Sequence, residues 1–185
     1  MKIRQIETIS RKDRKHFFKK IPEKVAWYLA GFVDGEGSFN VSLRKKPDYR
    51  IGWQPVLSFN VSQKERTILA LMKRRFGCGI IKQRGDGLYS YDLTNPRAIQ
   101  EIIIPFFEKY RFFSATKKKN FSLFKRIAKL MVKREHLDRK GFKRLLSLRE
   151  KLNEGKGRKR KYTKENVSGI LRDYTPRSDV TSDMR

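Results

Sequence analysis

Two carboxylates, Asp34 and Glu36, close the run Trp27-Tyr28-Leu29-Ala30-Gly31-Phe32-Val33-Asp34-Gly35-Glu36-Gly37. The apolar residues ahead of them predict a short helix that delivers both acids to its C-terminal end. A helix C-terminus carries roughly half a negative charge, so acids there are disfavoured by about 0.3–1 kcal/mol. A bound cation reverses the sign of that argument. The chemistry open to such a pair is therefore metal binding at a helix end.

The elements that must position these acids can be read from periodicity. Pro22 and Glu23 suit the first turn of the helix, and Val25, Leu29, Phe32 and Val33 give it an apolar face. Gly31 and Gly35 lie four apart with Ala30 alongside, a spacing that lets two helix backbones approach closely. The same glycines also suit a turn that ends the helix. The pattern then switches to strand. Phe39, Val41 and Leu43 alternate with Ser38, Asn40, Ser42 and Arg44, and Leu57, Phe59 and Val61 alternate with Ser58, Asn60 and Ser62. Lys64 to Phe76 reads as a helix stopped by Gly77, with Ser62 and Glu65 as a capping-box-like pair. Ile80 to Arg84 and Leu88 to Leu93 form a hairpin across Gly85-Asp86-Gly87. Helices are predicted over 97–110, 117–133 and 138–153, with a short last one over 166–173.

This order predicts an α+β fold with an antiparallel sheet, helices on one face and further C-terminal helices. Residues 1–20 read as a basic extension, 21–153 as the core, and 154–185 as a basic loop with a short helix. The outer sheet face shows Ser, Asn, Lys, Arg and Asp, the types that bond base edges and phosphates.

Charge narrows the partner. Among 185 residues, 46 Lys+Arg stand against 19 Asp+Glu, a net +27. Solubility alone needs a net charge of only about 2–8, so a polyanion is expected, most often nucleic acid. One cysteine, Cys78, allows neither an intrachain disulfide nor a cysteine-based zinc site. His16 and His136 sit in charged stretches and read as solvated. No apolar run approaches the roughly 18 residues of a membrane span. The expectation is a soluble protein in a reducing compartment, such as the bacterial cytoplasm or an organelle, with no membrane partner.

Leu29-Ala-Gly-Phe-Val-Asp-Gly-Glu-Gly37, followed by Ser38-Phe39 opening a strand, resembles the signature of the LAGLIDADG homing endonucleases. Phe59-Asn-Val-Ser-Gln-Lys64 resembles the family's passage from second strand to second helix. The resemblance covers roughly 21–150. It implies an αββαββα fold with a saddle of strands on DNA, and metal-dependent phosphodiester hydrolysis with Mg²⁺ or Mn²⁺. It places Glu36 as the metal ligand, helped by the Gly35 carbonyl, and Gln63 as a residue ordering water near the scissile phosphate. A helix N-terminal role for Gln63 stays open beside it. Lys117 takes the place of the family's water-polarising base, with Lys118 and Lys119 as phosphate contacts. Asp34 reads as a cap or brace.

Strand alternation and the family's saddle together nominate DNA-reading positions: Asn40, Ser42, Arg44, Lys46, Gln54, Ser58, Asn60, Lys82, Arg84, Ser90 and Asp92. Arg44 and Arg84 are the strongest guanine candidates. Arg158 and Lys159, in the basic loop 155–161, are added as DNA contacts. The sequence carries one signature, and a double-strand cut needs two hydrolytic centres. A homodimer is therefore expected, packed through Ala30, Gly31, Asp34 and Gly35, on a pseudo-palindromic DNA target. The function implied is an intron-encoded, site-specific DNA endonuclease. The alternatives are a maturase bound to intron RNA and a DNA-binding protein that does not cut.

Overall fold

The computed structural model describes residues 21–49, 51–154, 161–163 and 167. The basic extension, Arg158, Lys159 and nearly all of the predicted last helix lie outside the described residues. Helix α1 (Glu23–Glu36) buries Ala26, Leu29, Ala30 and Val33 at helical spacing. Strand β1 (Gly37–Lys45) follows with no loop, because Gly37 is already extended. A Cβ on Gly37 would lie 2.4 Å from a Val33 methyl and 2.7 Å from the Val33 carbonyl, so the direct helix-to-strand turn requires glycine. The chain continues as β2 (Trp53–Gln63), α2 (Arg66–Phe76), β3 (Ile80–Gln83) and β4 (Tyr89–Leu93). Then come α3 (Pro96–Ala98), a π-helical segment (Ile99–Ile103), α4 (Ile104–Lys109), α5 (Ala115–Val132) and α6 (Arg139–Glu150).

The four strands form one antiparallel sheet in the order β1-β2-β4-β3. Register sets its two faces. Asn40 pairs with Ser58, Asn60 with Asp92 and Lys82 with Ser90, so the predicted outward residues share one face. Phe39, Leu57, Phe59, Val61 and Tyr91 turn to the other and are buried. There the Phe39 ring lies 5.3 Å from Phe59 and 5.0 Å from Phe124 of α5. A smaller cluster of Leu43, Ile51, Trp53, Phe142, Leu146 and Val167 fixes α6 beside the β1–β2 hairpin. The α+β architecture is the one expected. Among the described residues no helix is long and apolar enough to cross a membrane.

Some expectations need correction. Strand β2 begins at Trp53 and includes Pro55. It tolerates proline there because β4 pairs only with Phe59–Gln63, leaving Pro55 one neighbouring strand. Ser62 lies within β2, and α2 starts at Arg66 with Glu65 as a cap that makes no side-chain bond, so the capping box does not form. The helix predicted over 97–110 is interrupted by the π segment just before Pro105. Proline lacks the N–H that an α-turn needs, and a π turn carries the helix across it. His136 is half-buried rather than solvated, and burial lowers its pKa.

Candidate active site and nucleic-acid face

The site gathers where α1 ends and β1 begins. Asp34 and Glu36 leave the last turn of α1 in different directions. Asp34 reaches across to the segment before α5, where Oδ2 accepts the N–H groups of Phe113 (2.8 Å) and Ser114 (3.0 Å). Its Oδ1 accepts the Ser114 hydroxyl at 2.5 Å. Ser114 is itself the N-cap of α5, accepting from the Lys117 N–H. Asp34 thus lies at the unfavourable end of one helix and the favourable end of another. Burial alone raises its pKa. The bonds from Ser114 and Phe113, with the nearby Lys117 charge, outweigh that and hold the carboxyl below its ordinary value.

Glu36 is exposed, and its carboxylate makes no hydrogen bond or salt bridge with the described residues. Lys117, in the first turn of α5, is half-buried and donates from Nζ to the Gly37 carbonyl. Its pKa is lowered, by burial first, with the negative charges of Asp34 and Glu36 opposing the shift. The first turn of α5 therefore aims one lysine at the acid-bearing end of α1. Lys118 is exposed, and Lys119 is paired with Glu154 at 3.1 Å.

Gln63 is the last residue of β2. Because Gly37 pairs with Val61, Gln63 and Glu36 leave the same end of the sheet. Its Oε1 accepts the Lys64 N–H at 3.0 Å. It starts no helix.

The sheet face supplies a groove of about 690 Å³, bordered by Ser42, Arg44, Ser58, Ile80, Lys82 and Asp92. Ser42, Arg44 and Lys82 are exposed, and Gln54, Ser58 and Asn60 are half-exposed. Other nominated positions are committed within the fold. Ser90 is only 4% exposed and donates to Asp92 at 2.9 Å. Asp92 is bridged by Lys82 at 2.6 Å. Arg84 holds the hairpin turn through Asp86 at 2.7 Å and lies 3.4 Å from the Ser62 hydroxyl. Lys46 stands in the β1–β2 loop beside Asp48.

On α1, Ala30 is part of the core at 2% exposure and Asp34 is used internally. Gly31 and Gly35 face outward, and a Cβ on either meets nothing within 4 Å. Tyr28 stands beside them at 57% exposure, and Phe113 is 81% exposed next to Asp34.

Sequence reasoning did not single out Ser114, although serine ahead of a helix that opens Ala-Thr-Lys is a readable N-cap signal. It also missed the closure of the β1 edge. The carbonyls of Gly37, Phe39 and Val41 accept from Lys117, Asn153 and Arg149. Side chains from distant segments so cover an edge that would otherwise present unpaired acceptors.

The donor set suits a hard divalent cation. Glu36 offers free carboxylate oxygens, and among the described residues no group of three or more His, Cys, Asp or Glu builds a closed cage. Mg²⁺ is commonly held by one or two carboxylates plus waters and phosphate oxygens. The residues present fit that kind of site.

The fold is similar to that of solved homing endonucleases. The archaeal intron-encoded homing endonuclease I-Vdi141I, solved in complex with DNA, superposes with a TM-score of 0.73 at 33% identity, covering 80% of this chain and 94% of that one. I-SmaMI, solved bound to an uncleaved DNA target with calcium ions, gives a TM-score of 0.69 at 33% identity over 82% of this chain and 50% of that one. The sequence profile of the LAGLIDADG endonucleases matches residues 29–128, and the chain belongs to that family. A probable intron-encoded endonuclease of Neurospora crassa is 34% identical over 132 residues, 69% of this chain and 29% of the relative. DNA endonuclease I-CvuI of Chlorella vulgaris is 31% identical over 93 residues, 48% of this chain and 57% of the relative. The chain spans less than a third of the fungal relative's length.

Proposed function

We propose that this protein is a site-specific homing endonuclease that hydrolyses DNA phosphodiester bonds with a divalent metal, Mg²⁺ or Mn²⁺. The observation that carries the reading is the convergence of Glu36, Lys117 and Gln63 at one end of a sheet whose open face is polar and basic. Relatives solved on DNA support it.

Glu36, with the Gly35 carbonyl, would hold the cation. When bound, the metal supplies a more acidic water and neutralises charge on phosphate oxygens. Lys117 is fixed by the Gly37 carbonyl, and burial lowers its pKa below the ordinary lysine value, which favours proton exchange with water. Gln63 orients water through its amide. Asp34 holds the start of α5, and therefore Lys117, in place. Ser42, Arg44, Ser58 and Lys82, which line the groove, read bases together with Gln54 and Asn60 on the same face, and Lys118 and Lys119 contact phosphates.

One Glu36 per chain cuts one strand. We assign the second centre to a second copy, joined through the outward stripe of Tyr28, Gly31 and Gly35. Small residues there permit close helix approach, and a two-fold axis implies a pseudo-palindromic target.

The test is selection from a randomised duplex library with Mg²⁺, followed by sequencing of cut ends. Cutting at one pseudo-palindrome, lost in Glu36→Gln while binding persists, is the expected result. Binding without cutting by both proteins would overturn it.

A further inference from the structure

Asn153 lies off the sheet face, just past α6, at a positive φ of 55° that asparagine tolerates. Both hydrogens of its side-chain amide are committed: Nδ2 donates to the Phe39 carbonyl at 2.9 Å and to Asn40 Oδ1 at 3.0 Å. Its own N–H donates to Asn120 Oδ1 at 3.0 Å, which pins the residue to α5. Asn40 can then turn only its nitrogen toward the sheet. Nδ2 donates to Ser38 Oγ at 2.8 Å and to Asn60 Oδ1 at 3.5 Å. That contact turns the Asn60 oxygen toward Asn40 and leaves Nδ2, a donor, as the end turned away. An asparagine amide has a donor end and an acceptor end, so one fixed amide sets the direction of the next.

We propose that Asn153 is a positioning residue for base selection, setting through Asn40 the donor–acceptor polarity that Asn60 presents to DNA. This rests on the reading of the sheet face as the DNA-binding surface. In the native arrangement Asn60 offers a donor, which suits base edges rich in acceptors, such as guanine N7 and O6. Asn153→Asp leaves only acceptors beside Asn40. Asn40 must rotate to donate to it, its oxygen then faces Asn60, and Asn60 turns its own oxygen outward. That arrangement suits donor edges, such as cytosine N4 or adenine N6. Asn40→Asp reaches the same end by another route. It keeps its bond from Asn153 and obliges Asn60 to donate to it.

The experiment measures binding of the full chain to its selected duplex and to every single-base variant of that duplex, with the thermal melt of each protein as control. The expected result is that both substitutions move preference at the same base pair from acceptor-rich to donor-bearing bases. The change is about tenfold in relative affinity, whatever the overall weakening. Parallel profiles with uniformly lower affinity, from whichever variant folds, would reduce Asn153 to a structural role and overturn the proposal. A wild-type protein with no base preference would instead overturn the DNA-reading function itself.

Discussion

Asp34, in the last turn of α1, accepts the backbone N–H groups of Phe113 and Ser114, so a carboxylate at one helix's C-terminus braces the N-cap residue of another. The relationship removes the electrostatic anomaly of the opening motif for one of its two acids. Only Glu36 is left with free oxygens.

Replacing Asp34 by alanine should cost about 2 kcal/mol, the scale of hydrogen bonds to a charged group, read as a lower urea midpoint. The effect should depend on pH. The folded carboxyl titrates below its ordinary value, so between the two values the unfolded chain holds more protons and acid favours unfolding. Its stabilisation is therefore present above the ordinary carboxylate range and lost as pH falls through the folded value. Asp34→Asn should lack this part of the acid dependence. An unchanged acid slope in Asp34→Asn would refute the brace.

Lys117 gives a kinetic prediction. Its pKa lies below the ordinary lysine value, through burial. The cleavage rate should rise with pH as the amine loses its proton, and level off below the range of a free lysine. Lys117→Met should slow cleavage by about 10²–10⁴ and erase that inflection, with Kd for the target unchanged within about threefold. Single-turnover assays across pH separate the two effects, and a variant that retains the inflection rules Lys117 out as its source.

Chelation separates structure from chemistry. Glu36 is exposed and contributes nothing to the core. Removal of divalent ions should abolish cutting and leave the thermal midpoint of the DNA-free protein within about 1 °C, because one exposed carboxylate without DNA phosphates holds the ion weakly and the linked stabilisation is small. A large drop in midpoint on adding EDTA would mean a structural ion instead.

How legible this was depended on the range of each interaction. The helices and strands were readable because Phe39, Val41 and Leu43, and Phe59 and Val61, alternate cleanly on a half-buried sheet. The place of Glu36 at the end of α1 was readable because the motif that carries it is contiguous. Asn153 and Arg149 were not: they act on β1 carbonyls more than a hundred residues away, and no local pattern marks an edge-strand partner. Ser90 had the residue type expected of an exposed sheet face and Ala30 the small side chain expected at a contact between subunits, yet packing within the subunit buried both. Alternation assigns a face, and neighbours decide whether that face reaches solvent.

The glycines of α1 allow a prediction in which stability and assembly move in opposite directions. A Cβ on Gly31 or Gly35 meets nothing within 4 Å, and both lie inside a helix. In an isolated subunit, alanine at either should therefore be harmless or stabilising, by about 0.5–1 kcal/mol, since it restricts the unfolded chain. In a dimer packed through this stripe, two methyl groups per subunit would hold the helices apart. Gly31→Ala/Gly35→Ala should weaken self-association at least about tenfold in sedimentation equilibrium while the subunit's own urea midpoint stays level or rises. Cleavage should then shift toward single-strand nicks at protein concentrations where the wild type cuts both strands. A double variant that still dimerises at wild-type concentration, with an unaltered ratio of nicks to double-strand cuts, would place the second hydrolytic centre somewhere other than across α1.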